Sequence, residues 1–364
     1  MPLWKHRYAF PRWSVGMRRH PAAGFTLLEM VLVLFLMALV ASAGLMLTEG
    51  VEDQAKYDET KRRMEMIRKA IVGDPTRTVN GSPEISGFVA DMGRLPGCLR
   101  ELLEAFDCDD PANPLTQWTI DPTTGVASGW RGPYIQVLPD RDGVRRFRDG
   151  YGNDEDDKNF GWNWAIYDDE GRDTEDAAYE PPALSVRLQS NGPDGTLKYP
   201  AGDIDAENDE DKPKELITEY DWRVNLPYKV NVVFKNQSGV DVPEVGVTQD
   251  VVLLVYGNDF SSPLAESDSA TLSQSAIPSN SMVIKDFNFT TSPGPIAIGN
   301  RPYVVACDKW DHDSDSGTDD EYTAFLGNGG SEGCSTESIG KDDARIFSVV
   351  PRQALHLNLD WVIE

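Results

Sequence analysis

From Phe25 to Leu47 the chain carries a single ionisable side chain, Glu29, in a stretch otherwise made of large aliphatic residues, Phe, and a few small ones. That run exceeds the roughly 20 apolar residues a bilayer-spanning helix requires, so it predicts a membrane helix. A carboxylate placed in hydrocarbon costs on the order of 2.5 kcal/mol or more, and Glu29 therefore calls for a cationic partner. Residues 1–24 carry Lys5, Arg7, Arg12, Arg18 and Arg19 and no acid. An excess of cations on one flank keeps that flank cytoplasmic and sends the chain beyond Leu47 outward. The run is too long for the core of a cleavable secretory peptide and lacks its A-x-A exit, so the helix is expected to stay attached.

The formal charge is -26, and loss of the basic leader would make the chain more acidic still. Nucleic acid is excluded as a partner on that balance. Acidity of this strength repels itself unless cations are bound, which points to a divalent metal. All four cysteines, Cys98, Cys108, Cys307 and Cys334, fall in the exported part, where disulfides persist. Cys307 with Cys334 closes a loop near the C-terminus. Leu99, Leu102, Leu103 and Phe106 stand at helical spacing between the other two. An unbroken helix would hold Cys98 and Cys108 apart, so their pairing requires the chain to turn back after Phe106.

Beyond the apolar run, Tyr57, Met64, Ile67 and Ile71 recur at helical spacing, so the helix is expected to continue to Val72 and stop at Gly73-Asp74-Pro75. At 1.5 Å per residue, Phe25 to Val72 would span roughly 70 Å. Leu184, Val186 and Leu188 alternate with polar residues, which predicts a half-buried strand. After about Tyr220 the pattern becomes all-β. Alternation over Tyr228–Lys235 and Leu355–Val362, with short apolar runs at 251–256, 282–289, 303–307 and 346–350, predicts an immunoglobulin-like or jelly-roll sandwich. The expected organisation is a leader 1–24, a helix 25–72, a head 73–219 and a β-sandwich 220–364, with the linker between the last two within 208–219.

The leader ends in Gly24-Phe25-Thr26-Leu27-Leu28-Glu29. This motif resembles the class III signal of type IV pilins and type II secretion pseudopilins. The resemblance implies cleavage after Gly24 by a prepilin peptidase, N-methylation of Phe25, and assembly in which Glu29 of one helix pairs with the Phe25 ammonium of a neighbour. It also implies an inner-membrane, single-pass protein whose bulk is periplasmic or in an extracytoplasmic filament, and partners that include other pilin or pseudopilin subunits and the inner-membrane assembly platform.

Residues 84–206 resemble, in the order of their motifs, the head of the major pseudopilin. Those motifs are Gly93-Arg94-Leu95-Pro96, Trp130-Arg131-Gly132-Pro133-Tyr134-Ile135, Asp149-Gly150-Tyr151-Gly152-Asn153 and Ser190-Asn191-Gly192-Pro193-Asp194-Gly195 leading to Asp203-Ile204. The fold implied is an α+β pilin fold: a long N-terminal helix packed on a small antiparallel sheet with a calcium loop, here followed by the β-sandwich. The calcium ligands implied are Asp194, Asp203 and the Asn191 carbonyl, with Asp205 as an acidic extra. Calcium takes 6 to 8 oxygens from a flexible loop, which Gly192, Gly195 and Gly202 would allow. A second acidic run places Asp311, Asp313, Asp315 and Asp319 as in a D-x-D-x-D calcium loop, although Ser316 stands where glycine is usual and Tyr322 where glutamate is. Either run could instead be a solvated loop. The turn Gly152 to Asp157 reads as solvated.

No catalytic constellation is legible. His6 and His20 lie in the leader, leaving His312 and His356, and no nucleophile elbow, zinc motif or P-loop occurs. The sequence reads as a non-enzymatic, calcium-stabilised structural subunit of a type II secretion pseudopilus or type IV pilus. The alternative is a surface or tip adhesin whose C-terminal sandwich binds a glycan or protein.

Overall fold

A computed structural model describes residues 26–74, 76–79, 81–108, 110–123, 125–168, 183–193, 195, 215–258, 260, 262–290, 294–310, 321–325, 333–350, 355 and 357–363. The chain divides into two compact units, Met1–Gln54 and Ala55–Glu364.

One helix covers Leu27–Val72. Its apolar half is uniformly exposed over the side chains described, with Leu27 at 83%, Phe35 at 62% and Val40 at 73% of full exposure. Among the described residues no helix is long and apolar enough to cross a membrane; the described side chains of the apolar stretch end at Ser42. In the second unit Ile67, Ala70, Ile71 and Val72 are buried and Met64 packs against the same core, whereas Tyr57 lies exposed beneath Lys61. The helical stripe read from the sequence is therefore buried only in its last two turns. Gly73, in the left-handed region, ends the helix with its N–H on the Lys69 carbonyl.

The predicted helix between Cys98 and Cys108 is instead one 3-10 turn, Leu99–Leu102. Its apolar residues are buried as their spacing suggests, but the chain leaves the turn at Leu103, and Cys98 and Cys108 are disulfide-bonded with Cα atoms 6.1 Å apart. Next comes an antiparallel sheet of Trp162–Tyr167, Ser185–Ser190 and Glu215–Ile217. A short helix, Glu219–Trp222, then leads into the β-rich region.

That region holds two larger sheets. In one, Gln249–Tyr256 and Gly299–Trp310 are central, flanked by Pro263–Glu266, Ala270–Leu272, Glu321–Phe325, Cys334–Ser338 and Arg345–Val349. In the other, Lys229–Asn236 lies between Met282–Asn288, antiparallel to it, and Asn358–Ile363, parallel to it. Alternation along Lys229–Asn236 buries Val230, Val232 and Phe234 on one face. Rings join the two sheets there: Phe234 meets Phe325 at 5.9 Å and Tyr303 meets Trp361 at 6.1 Å. The Tyr303 hydroxyl donates to the Asp360 carbonyl at 2.6 Å and the Trp361 indole N–H to that of Phe325 at 2.6 Å, so both buried polar tips are satisfied. Cys307 and Cys334 are disulfide-bonded within the larger sheet.

Candidate assembly segment and cation loop

Gly24 and Phe25 lie outside the described residues. Helical structure begins directly after them. The Glu29 N–H donates to Thr26 Oγ1 at 3.2 Å, so Thr26 caps the helix and places Glu29 in its first turn. A Thr three residues ahead of a Glu is the capping-box pattern, a local signal for a helix start at this point in the sequence. The Glu29 side chain is exposed, and it is the one acidic group on the described apolar half.

Of the ligands expected in the first acidic loop only Asn191 is described; Asp194, Asp203 and Asp205 lie outside the described residues, as do Asp311, Asp313, Asp315 and Asp319 of the second run. Among the described residues no group of three or more His, Cys, Asp or Glu side chains is placed to hold a metal ion. The described edge of the first loop is nonetheless specific. Asn191 Nδ2 donates to Glu155 Oε2 at 3.2 Å, while Asn191 Oδ1 and the neighbouring Gln189 Oε1 are buried and find no hydrogen-bond partner among the described residues. A Cβ built on Gly195 would lie 3.2 Å from Glu155 Oε1 and 3.6 Å from Asn153 Oδ1. Oxygens of Glu155 and Asn153 thus face the loop from a turn the sequence suggested was merely solvated, and no periodicity or motif brings those residues to it.

What aims them is the Asp149-Gly150-Tyr151-Gly152-Asn153 turn. Asp149 is 1% exposed, and its Oδ1 accepts the N–H groups of Tyr151, Gly152 and Asn153 at 3.1, 2.8 and 3.0 Å. Oδ2 accepts Asn153 Nδ2 at 2.8 Å and the Ser190 hydroxyl. Asn153 Nδ2 also donates to the Gly192 carbonyl at 2.8 Å. The same turn sits on the long helix: Gly150 N–H donates to Thr60 Oγ1 at 3.0 Å, and Arg63 donates to the Arg148 and Asp149 carbonyls at 2.7 and 3.1 Å. A Cβ on Gly150 would come 2.1 Å from the Lys56 carbonyl oxygen, which requires glycine there. Helix, turn and loop edge form one hydrogen-bonded chain.

The other motifs bond to one another. Arg94 Nη1 lies 2.9 Å from Glu101 Oε2, inside the Cys98–Cys108 loop, and Glu101 is fully buried. Burial raises the Glu101 carboxyl above the usual range, against the pull of Arg94. Trp130 donates to the Glu101 carbonyl at 2.6 Å. Tyr134 and Arg131 converge on Asp91 Oδ2 at 3.0 and 3.1 Å, and burial raises the Asp91 carboxyl against the opposing charge of Arg131.

Residues 19–45 match the prokaryotic N-terminal methylation motif, the prepilin signal of type IV pilins and pseudopilins. No curated protein and no solved structure matches the chain.

Proposed function

We propose that this protein is a pilin-like structural subunit, cleaved after Gly24 by a prepilin peptidase, methylated at Phe25 and assembled through its N-terminal helix with other pilin or pseudopilin subunits. The observation that carries this reading is the methylation motif at residues 19–45 leading into a helix whose described apolar side chains, up to Ser42, are all exposed. A surface of that kind needs lipid before assembly and neighbouring helices after it. In the same reading the helix crosses the inner membrane once and the remainder is periplasmic. Within the filament, the Glu29 carboxylate pairs with the Phe25 ammonium of an adjoining subunit, each offsetting the other's desolvation.

We further propose that the loop following Ser190 binds calcium through Asp194, Asp203 and the Asn191 carbonyl, with Asp205 as an acidic extra. The described residues fit a hard cation: Asn191 Oδ1 is a buried oxygen acceptor without a partner among the described residues, and the Glu155 and Asn153 oxygens face Gly195. Calcium would supply charge neutralisation there; the chain's own residues fix the approach of the loop to the turn.

Intact-mass analysis of protein made beside an active prepilin peptidase tests the central reading. A chain beginning at N-methyl-Phe25 is expected, with Gly24→Ala blocking cleavage. Retention of Met1 with the peptidase active would overturn the assignment.

A further inference from the structure

A buried polar chain joins the part of the molecule that carries the pseudopilin-like motifs to the β-rich part. Arg301, 2% exposed, donates from Nε to the Ala297 carbonyl at 2.9 Å and from Nη1 to that of Asn300 at 3.2 Å, with further bonds to the Ile298 carbonyl and Asn258 Oδ1. Asn258 turns its Nδ2 to the Asp91 carbonyl at 3.0 Å. Asp91 belongs to the short helix Phe88–Met92, and its carboxylate is held by Tyr134 and Arg131. The fit on both sides is tight. Gly299 has φ +135, and a Cβ there would lie 2.7 Å from the Ala90 carbonyl oxygen. Gly93 would bring its Cβ to 3.0 Å from the Asn258 side chain.

Other bonds cross the same seam. Trp222 donates to the Leu184 carbonyl at 3.0 Å and its own carbonyl accepts the Ile298 N–H at 2.9 Å. Arg68 of the long helix pairs with Asp221 at 2.6 Å. One core runs without a break from Ile67 to Ile363.

We infer that residues 55–364 unfold as one cooperative body, locked by the Asp91–Asn258–Arg301 chain, so that the β-rich region completes the head instead of being a tethered module. The physical ground is that Arg301 has no route to water. Separating the two parts strips the Asp91 carbonyl from Asn258, the side chain that also accepts from the guanidinium, and opens a shared core. Burial pulls the Arg301 pKa down to about 10, which leaves it cationic at neutral pH and dependent on the field of Asp91. Polar groups buried in a satisfied network define one docking geometry, because any slip leaves several of them unpaired. Whatever the β-rich region contacts is then presented at a fixed position on the head.

The test is amide hydrogen exchange of the full chain in detergent micelles, followed against denaturant. The amides of Phe88–Met92 and those of Gln249–Tyr256 and Gly299–Trp310 are expected to lose protection at one common denaturant concentration. Asn258→Ala should lower that concentration for both sets together. Strands beyond residue 219 losing protection in their own step while the 88–92 helix stays protected would overturn the inference, as would a shift confined to one set in Asn258→Ala. The unsubstituted protein decides the question by itself if the variant does not fold.

Discussion

Asp149 shows how one side chain can hold a motif together. It accepts three backbone N–H groups, an amide and a hydroxyl while almost fully buried. Asp149→Ala would remove the acceptor that all five donors share, and a loss of about 3 kcal/mol in unfolding free energy is expected by chemical denaturation. Gly150→Ala should cost about 2 kcal/mol or more for a different reason, since the new methyl enters the space of the Lys56 carbonyl oxygen. Asp91 makes a pH prediction. Its folded pKa is raised above the ordinary 3.8 by burial, so its contribution is fully present below about pH 3.8 and is lost as pH rises through the raised value. Melting curves of the unsubstituted protein and Asp91→Asn should therefore differ most in acid, with the unsubstituted protein's relative advantage shrinking toward neutral pH. A difference that grows with pH would show that the pull of Arg131 outweighs burial.

At the scale of elements, the long helix has two chemistries in one secondary structure. Its second half is held by a small apolar set, Ile67 and Ile71 at 0% exposure, together with the Arg63 and Arg68 contacts. Ile67→Ala should therefore cost about 3 kcal/mol, as for a fully buried aliphatic truncation, and Tyr57→Ala almost nothing, since Tyr57 is exposed. The side chains described in its first half, up to Ser42, are exposed. Glu29→Leu is accordingly expected to insert into membranes at least as well as the parent and to give few filaments. Filament yield measured by shearing and immunoblot decides this, and normal yield would show that the carboxylate is dispensable. The element between the cysteines teaches the opposite lesson: spacing foretold the burial of Leu99, Leu102 and Leu103 but not that of Glu101, Phe106 is only half-buried, and the turn at Leu103 came from the disulfide and from the Trp130 and Tyr134 packing around it.

For the whole molecule, calcium is the variable to change. If the loop after Ser190 binds it, the detergent-solubilised protein should melt higher in millimolar calcium than in chelator, by the equivalent of about 2.7 kcal/mol at a hundredfold excess over Kd. Asp194→Ala should abolish most of that increment, and Glu155→Gln should reduce it, because Glu155 Oε1 faces Gly195. Identical melting curves in calcium and chelator would remove the metal from the proposal. Asp313→Ala tests the second run separately, and an unchanged increment would leave that run solvated.

Much of this protein was legible in local sequence because the physics there is local. Hydrophobic length and a lone Glu29 mark the N-terminal segment, a glycine marks the helix end at Gly73, period-two alternation marks the strands at 185–190 and 229–236, and short apolar runs mark those at 249–256 and 282–288. None of these needs knowledge of what lies opposite. Tertiary structure alone decided what depends on partners remote in the chain. It runs Asn358–Ile363 parallel to Lys229–Asn236, a pairing that alternation cannot orient. It brings Glu155 and Asn153 to the Asn191 loop, adds Glu215–Ile217 to the head sheet where a linker was expected, and buries Arg301 through Asn258 against Asp91. The reason is the same in each case: a buried polar group or an edge strand takes its meaning from the atoms that satisfy it, and those atoms lie up to 167 residues away along the chain.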